Sequence, residues 1–275
     1  MNASAPTLFN QRLHGADRLY GTLLVSPSPH WVPVVAGLGL DFVFIDTEHI
    51  PIDREKLAWM CRAYRAEGLP PIVRITSPDP YEACVALDGG ALGIVAPYVE
   101  TPAQVAALVG AVKKRPLKGQ LLTQHLAGQT LPPALDAYLA QGGSARSLII
   151  NIESAPALAA LDDILAVEGL DGVLIGPHDL SCSLGVPEQY EHPRFLAACD
   201  RIITQARARS LGAGVHAIYP GHRLDHEERW ARLGANFIVH AADIILFAEG
   251  LRRDLNELRR RLDQEPASTA PSIII

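Results

Sequence analysis

Eight short runs of aliphatic and β-branched residues recur along this chain, alternating with longer segments of helical period. They are Tyr20–Val25, Phe42–Asp46, Pro71–Thr76, Gly93–Pro97, Leu148–Glu153, Gly172–Ile175, Gly212–Ala217 and Phe237–His240. Helical patterns lie between them at Asp53–Arg65, Tyr81–Ala86, Pro102–Lys113, Pro156–Leu165, Pro193–Ser210, Leu224–Leu233 and Ala242–Asp263. Near-continuous apolar runs suit strands buried on both faces, which is the condition of a parallel sheet covered by helices. Eight strands predict a closed (β/α)8 TIM barrel, and 275 residues is close to the ~250 typical of that fold. A single barrel domain over residues 1–263 is expected, followed by a Pro/Ser/Thr/Ala-rich tail, 264–275, expected to be disordered.

Local signals agree with this order. Asp53, and the Asp79-Pro80 and Thr101-Pro102 pairs, place capping residues at helix starts. Gly68, Gly89-Gly90, Gly169 and Gly234 follow helical segments, where a left-handed turn leads into the next strand. Residues 116–147 fit less well. They contain a short strand-like piece, Gln120–Thr123, a loop and a helical piece, Leu131–Gln141, and the whole is long for a simple connection.

Composition excludes several classes of function. No apolar stretch approaches the ~20 residues of a membrane span. With 24 Lys+Arg against 30 Asp+Glu, the formal charge of −6 argues against a nucleic-acid footprint; the clusters at Lys113-Lys114-Arg115 and Arg259-Arg260-Arg261 read as solvated helix ends. Cys61, Cys84, Cys182 and Cys199 lack metal-ligand spacing and read as buried thiols of a cytoplasmic protein. The amino terminus has no secretory pattern.

Four of the strand-like runs end in polar or ionisable groups, and the carboxyl ends of barrel strands are where chemistry is assembled. Glu153 and Asp179 are candidate ligands for a hard divalent cation, leaving positions open for water and a 2-oxo acid. Asp46 and His49, three apart, are a candidate acid–base pair in which the carboxylate fixes the imidazole tautomer. Arg74 ends Pro71-Ile-Val and supplies a fixed positive charge for an enolate or carboxylate oxygen. The turn Gly176-Pro177-His178-Asp179 presents backbone N–H groups to an anion. His178, His216 and His240 lie at or near strand ends as further candidates for lining the entrance.

These residues carry a resemblance. Phe44-Ile-Asp-Thr-Glu-His49, Val73-Arg74 with Asp79-Pro80, Ile152-Glu153-Ser, Ile175-Gly-Pro-His-Asp-Leu-Ser-Cys-Ser-Leu-Gly185 and Leu233-Gly-Ala-Asn-Phe make the chain similar to the HpcH/HpaI aldolases, from about Gly21 to Leu258. The resemblance implies a metal-dependent (class II) pyruvate aldolase cleaving a 4-hydroxy-2-oxo acid to pyruvate and an aldehyde. It implies Mg2+, Mn2+ or Co2+ held by Glu153 and Asp179, and His49, oriented by Asp46, as base. Arg74 would stabilise the enolate, and the Gly176–Asp179 turn would bind pyruvate. A homotrimer or homohexamer is implied, with a helix exchanged between subunits in some members. The chain departs from the family pattern at Leu117–Gln120 and Thr123–Gln129, at Asn151 (commonly Gln) and at His178 (commonly Ala). Rival readings are a CoA-thioester lyase of the citrate-lyase-β or malyl-CoA type, an oxaloacetate decarboxylase, or a non-catalytic metabolite-binding protein.

Overall fold

The computed structural model describes residues 5–143, 145–219 and 223–266. Eight parallel strands close into a barrel in chain order. They are β1 Leu19–Leu23, β2 Val43–Asp46, β3 Pro71–Arg74, β4 Gly93–Ala96, β5 Ser147–Asn151, β6 Gly172–Ile175, β7 Gly212–Ala217 and β8 Phe237–Ala242. Helix α1, Ala5–His14, precedes them. Around the barrel run α2 Trp31–Ala36, α3 Arg54–Ala66, α4 Pro80–Gly89, α5 Pro102–Lys113, α6 Gly119–Leu126 and α7 Pro133–Gly143. They are followed by α8 Ala155–Ala159, α9 Leu161–Leu165, α10 Pro177–Ser183, α11 Pro193–Ala208, α12 Arg223–Arg232 and α13 Asp243–Arg261.

All eight expected strands form, and the predicted caps act. Asp53 accepts the Lys56 N–H at 2.8 Å, Asp79 accepts that of Tyr81 at 2.8 Å, and Thr101 closes a capping box with Gln104. The expected strand at Gln120–Thr123 is instead part of α6. Leu122 and Leu126 are four residues apart, on one helix face, and both reach the position of Gly110 on α5. β4 already pairs with β5, so the sheet has no vacancy for another strand there. Of the cysteines, Cys61 and Cys199 are buried as expected, whereas Cys84 is half-buried and Cys182 is exposed. The proposed tail falls largely outside the described residues, at 267–275. Among the described residues no helix is long and apolar enough to cross a membrane.

Strand alternation sorts the core into two layers. Phe42, Phe44, Ile72, Val95, Ile149, Leu174, Phe237 and Val239 fill the barrel interior. Their neighbours Val43, Ile45, Val73, Ile94, Ile150 and Val173 face the helices. Each such side chain contributes about 1.5–3 kcal/mol on full burial. Helix α1 closes the amino-terminal end by inserting Phe9 and Leu13. A β-carbon at residue 212 would stand 2.2 Å from Leu13 Cδ1, so only glycine lets α1 seat so deeply.

Beneath this plug, Asp171 ties α1 to the barrel. It accepts bonds from Asn10 Nδ2 at 3.0 Å and from the Leu148 N–H at 2.6 Å, and pairs with Lys113 at 2.6 Å and His14 at 3.0 Å. Burial alone would push the Asp171 carboxyl up, but the bonds and charges of His14 and Lys113 hold it below the usual carboxylate range. The amino-terminal end is thereby sealed, and the open end carries the polar residues.

Candidate active site

Asp46 and Arg74 occupy paired positions at the carboxyl ends of β2 and β3. Arg74 donates from Nε to Asp46 Oδ1 at 2.9 Å and from Nη2 to Oδ2 at 2.5 Å. Asp46 also accepts the Glu48 N–H at 2.9 Å. Burial would raise the Asp46 carboxyl, but Arg74 outweighs it and holds this group ionised below its ordinary value.

This geometry corrects the expected Asp46–His49 pair. Both Asp46 oxygens serve the guanidinium. The carboxylate beside His49 is that of Glu48, with Oε2 at 3.6 Å from His49 Nε2 and 3.1 Å from Arg74 Nε. His49 itself is exposed at the mouth. Glu48 was passed over in the sequence, although the alternation of a strand end puts residues 46 and 48 on one side. Its side chain is buried, and burial, reinforced by the charges of Asp46 and Asp179, raises its carboxyl above the usual range despite Arg74.

Glu153, two residues beyond β5, is buried in the same mouth. Its Oε1 accepts the Tyr98 N–H at 2.7 Å and its Oε2 accepts Asn151 Nδ2 at 2.7 Å. Asn151 thus orients Glu153 from within β5. A β-carbon at residue 176 would lie 2.5 Å from Glu153 Oε2, so the backbone after β6 passes against the carboxylate with no room for a side chain. Burial pushes the Glu153 carboxyl up, and repulsion from Glu48 and Asp179 adds to it. Asp179, in the first turn of α10, is half-buried and close enough to act on Glu48, Tyr98 and Glu153.

The mouth therefore gathers Asp46, Glu48, Glu153 and Asp179 around one guanidinium. Such an excess of buried negative charge calls for a cation. Glu48 Oε2 is buried and has the Arg74 guanidinium at 3.1 Å. Among the described residues no group of three or more His, Cys, Asp and Glu side chains is placed to hold a metal ion by itself. Two carboxylates with open positions fit a hard ion that retains water and takes oxygens from a substrate. The residues fit the group.

The three additional histidines do not converge. His178 is exposed, 3.6 Å from Glu188. His216 lies inside the barrel, its ring edge on Phe44 at 5.2 Å, and burial followed by the charge of Arg74 pushes it down to about 3. His240 points outward and pairs with Glu227 on α12 at 2.8 Å. A cavity of about 680 Å³ lies near His240, away from the mouth, against Tyr20, Leu224 and Ile238 on the outer wall.

The chain resembles known proteins over most of its length. The family model described as HpcH/HpaI aldolase/citrate lyase matches residues 20–249. A 2-keto-3-deoxy-L-rhamnonate aldolase of Salmonella gallinarum is 32% identical over 251 residues, covering 91% of this chain and 92% of the relative. A solved HpcH/HpaI aldolase/citrate lyase family protein from Burkholderia cenocepacia superposes with a TM-score of 0.78 at 26% identity, covering 92% of this chain and 99% of that one. The citrate synthase SbnG superposes with a TM-score of 0.77 at 30% identity, covering 93% and 98%.

Proposed function

This chain belongs to the HpcH/HpaI aldolase/citrate lyase family and is a carbon–carbon lyase of the metal-dependent aldolase type, and on that premise we propose how its mouth works. The reaction is cleavage of a 4-hydroxy-2-oxo acid to pyruvate and an aldehyde, and the reverse addition. Glu153 and Asp179 hold the divalent ion, Mg2+ or Mn2+. When bound, such an ion supplies Lewis acidity toward the 2-oxo group. The observation that carries the reading is the cluster of Asp46, Glu48, Glu153 and Asp179 at one mouth with Arg74, where burial and neighbouring carboxylates raise both Glu48 and Glu153.

The chain's own residues divide the work. His49, exposed at the rim beside Glu48, takes the proton of the 4-hydroxyl as the C3–C4 bond breaks. Arg74, its Nε and Nη2 fixed by Asp46, turns its remaining Nη toward the developing enolate oxygen. The backbone of Gly176-Pro177-His178-Asp179 receives the pyruvate carboxylate at the start of α10. The substrate named for the Salmonella relative, 2-keto-3-deoxy-L-rhamnonate, is the first compound to assay.

The lysines are Lys56, Lys113, Lys114 and Lys118, and Lys113 is committed to Asp171 at the sealed end. Chelator should abolish pyruvate release, while borohydride with pyruvate should leave activity intact. Inactivation by borohydride, with activity surviving chelator, overturns the mechanism. The citrate lyase part of the family's description keeps a second reading in view, cleavage of a citryl or malyl thioester. Turnover of such a thioester in preference to any 4-hydroxy-2-oxo acid would establish it.

Assembly belongs to the same proposal. On α13, Phe247, Leu251, Leu255 and Leu258 are exposed at helical spacing, and Leu262 at its C-cap continues the stripe. The outer wall of β8 and β1, where a barrel's last helix usually packs, carries the 680 Å³ cavity. A homotrimer or homohexamer in which α13 fills this groove on another subunit buries both surfaces. The four free cysteines suit a cytoplasmic setting.

A further inference from the structure

Away from the four carboxylates, His226 on α12 stands at the centre of a second polar chain. It is buried, as is Tyr219, two residues beyond β7. Its Nδ1 lies 2.8 Å from the Tyr219 hydroxyl, and its Nε2 lies 2.7 Å from Glu191 Oε1. A carboxylate only accepts, so Nε2 carries its proton toward Glu191; in the neutral ring Nδ1 then accepts the phenol O–H. The imidazole therefore bridges the end of β7 to residues 184–192, which join α10 to α11.

Tyr190 in the same segment stacks on Tyr219, with ring centroids 4.1 Å apart, and meets Phe195 of α11 edge-on at 5.6 Å. A cavity of about 440 Å³ is lined jointly by Glu188, Glu191 and His192 and by Tyr219 and His226. The segment is thus not packed flush against α12, and the bridge and the stack cross to it.

Its other end holds the candidate site. The Glu188 N–H donates at 3.0 Å to the Ser181 hydroxyl, which itself donates to the His178 C=O at 2.8 Å. The Val186 N–H donates to the Ser181 C=O at 2.9 Å, and Ser181 is fully buried. Glu188 is left-handed, with φ at 58°, a conformation that persists where the surroundings over-determine it. His178 precedes Asp179 in the first turn of α10. A short mechanical route therefore runs from His226 through Glu191, Glu188 and Ser181 to the turn that carries Asp179.

We propose that His226 is a positioning residue for that turn. Bonded at both ring nitrogens, it fixes residues 184–192, and through Ser181 it fixes the start of α10, where Asp179 holds the divalent ion. The inference rests on the lyase reading, in which Asp179 is an ion ligand.

The test is Mn2+ binding by the full-length protein, measured by calorimetry. Glu191→Ala cuts the bridge at an exposed residue. Mn2+ affinity of E191A should fall by about tenfold, the lower end of what losing an orienting group costs a metal site. Glu191→Gln, whose amide oxygen still accepts the imidazole N–H, should recover to within about threefold of wild type. His226→Phe keeps a ring but loses both bonds, and should lose at least as much as E191A; E191A decides alone if H226F does not fold. A merely structural His226 predicts a lower Tm for H226F with Mn2+ affinity intact. Wild-type affinity in E191A, or in a folded H226F, overturns the proposal. So does a loss in E191Q as large as in E191A, which would make charge rather than the bond the cause. Wild type that binds no Mn2+ sinks the lyase reading and this inference together, whereas wild-type binding with E191A unchanged sinks the role of His226 alone.

Discussion

Asp46 and Arg74 stand side by side in the β2–β3 register and meet through two parallel bonds, which makes the guanidinium a fixed part of the barrel wall rather than a mobile side chain. A planar fork is needed for that contact, and lysine has none. Arg74→Lys keeps the charge but loses the two-point grip and the aim of the remaining donor. Pyruvate proton exchange in R74K should fall by about 10²–10³-fold, the usual cost of losing one oriented oxyanion donor. Isotope exchange followed by NMR measures it, and exchange within about threefold of wild type would remove Arg74 from the enolate's surroundings.

Gly176 offers a test of the proposed ion site that does not depend on turnover. Its φ of −85° suits any residue, so alanine brings no backbone strain. The new methyl would instead meet Glu153 Oε2 at 2.5 Å and displace the carboxylate. Glu153 would shift against Asn151 and the Tyr98 N–H, which orient it. Mn2+ affinity of G176A, measured by calorimetry, should drop by about 10–100-fold, as for other changes to the groups that orient a metal ligand. Undiminished affinity would place the ion elsewhere.

The order of legibility follows from range. β-Branched runs and their caps are local, and all eight strands were readable from Tyr20 to His240 because each is dictated by neighbours in sequence. The positions of Asp46 and Arg74 at strand ends were also readable, since a polar group ending an apolar run marks a strand's carboxyl end. What was not readable is pairing across the barrel. Asp46 lies three residues from His49, but the register places it against Arg74, and register is a property of two strands rather than one. Glu48 was hidden for the same reason: its importance comes from Arg74, Tyr98 and Asp179, none of them local. Gln120–Thr123 falls in α6 because two leucines between polar residues cannot distinguish a strand from a helix turn until Gly110 is brought beneath them.

The α13 stripe predicts the assembly state. Phe247 is 60% exposed and begins the apolar face. Phe247→Glu places a charge where the proposed groove would bury a ring, a desolvation cost with no partner to offset it. Size-exclusion chromatography with light scattering should show wild type as a trimer or hexamer and F247E shifted toward monomer. A monomeric wild type would refute the exchange of α13.

At the opposite end, the Asp171–His14 contact predicts how stability depends on pH. Burial opposes the charged imidazole, but the bond to Asp171 outweighs it and raises His14 above 6.5. A group whose folded value is raised contributes stability that is fully present below 6.5 and is lost as pH rises through the raised value. Asp171 is held below 3.8, so its contribution is present above that value and is lost as pH falls through the depressed one. The grip on α1 is therefore strongest between these limits. His14→Gln should lower Tm more at about pH 6 than at about pH 9, where wild type has itself lost the charged pair. Asp171→Asn should be costlier at both pH values, by about 3–5 kcal/mol, because it leaves Lys113 without its buried partner. Differential scanning calorimetry on the three proteins decides the point: a Tm deficit in H14Q that is equal at the two pH values would mean that His14 holds α1 by packing, not by charge.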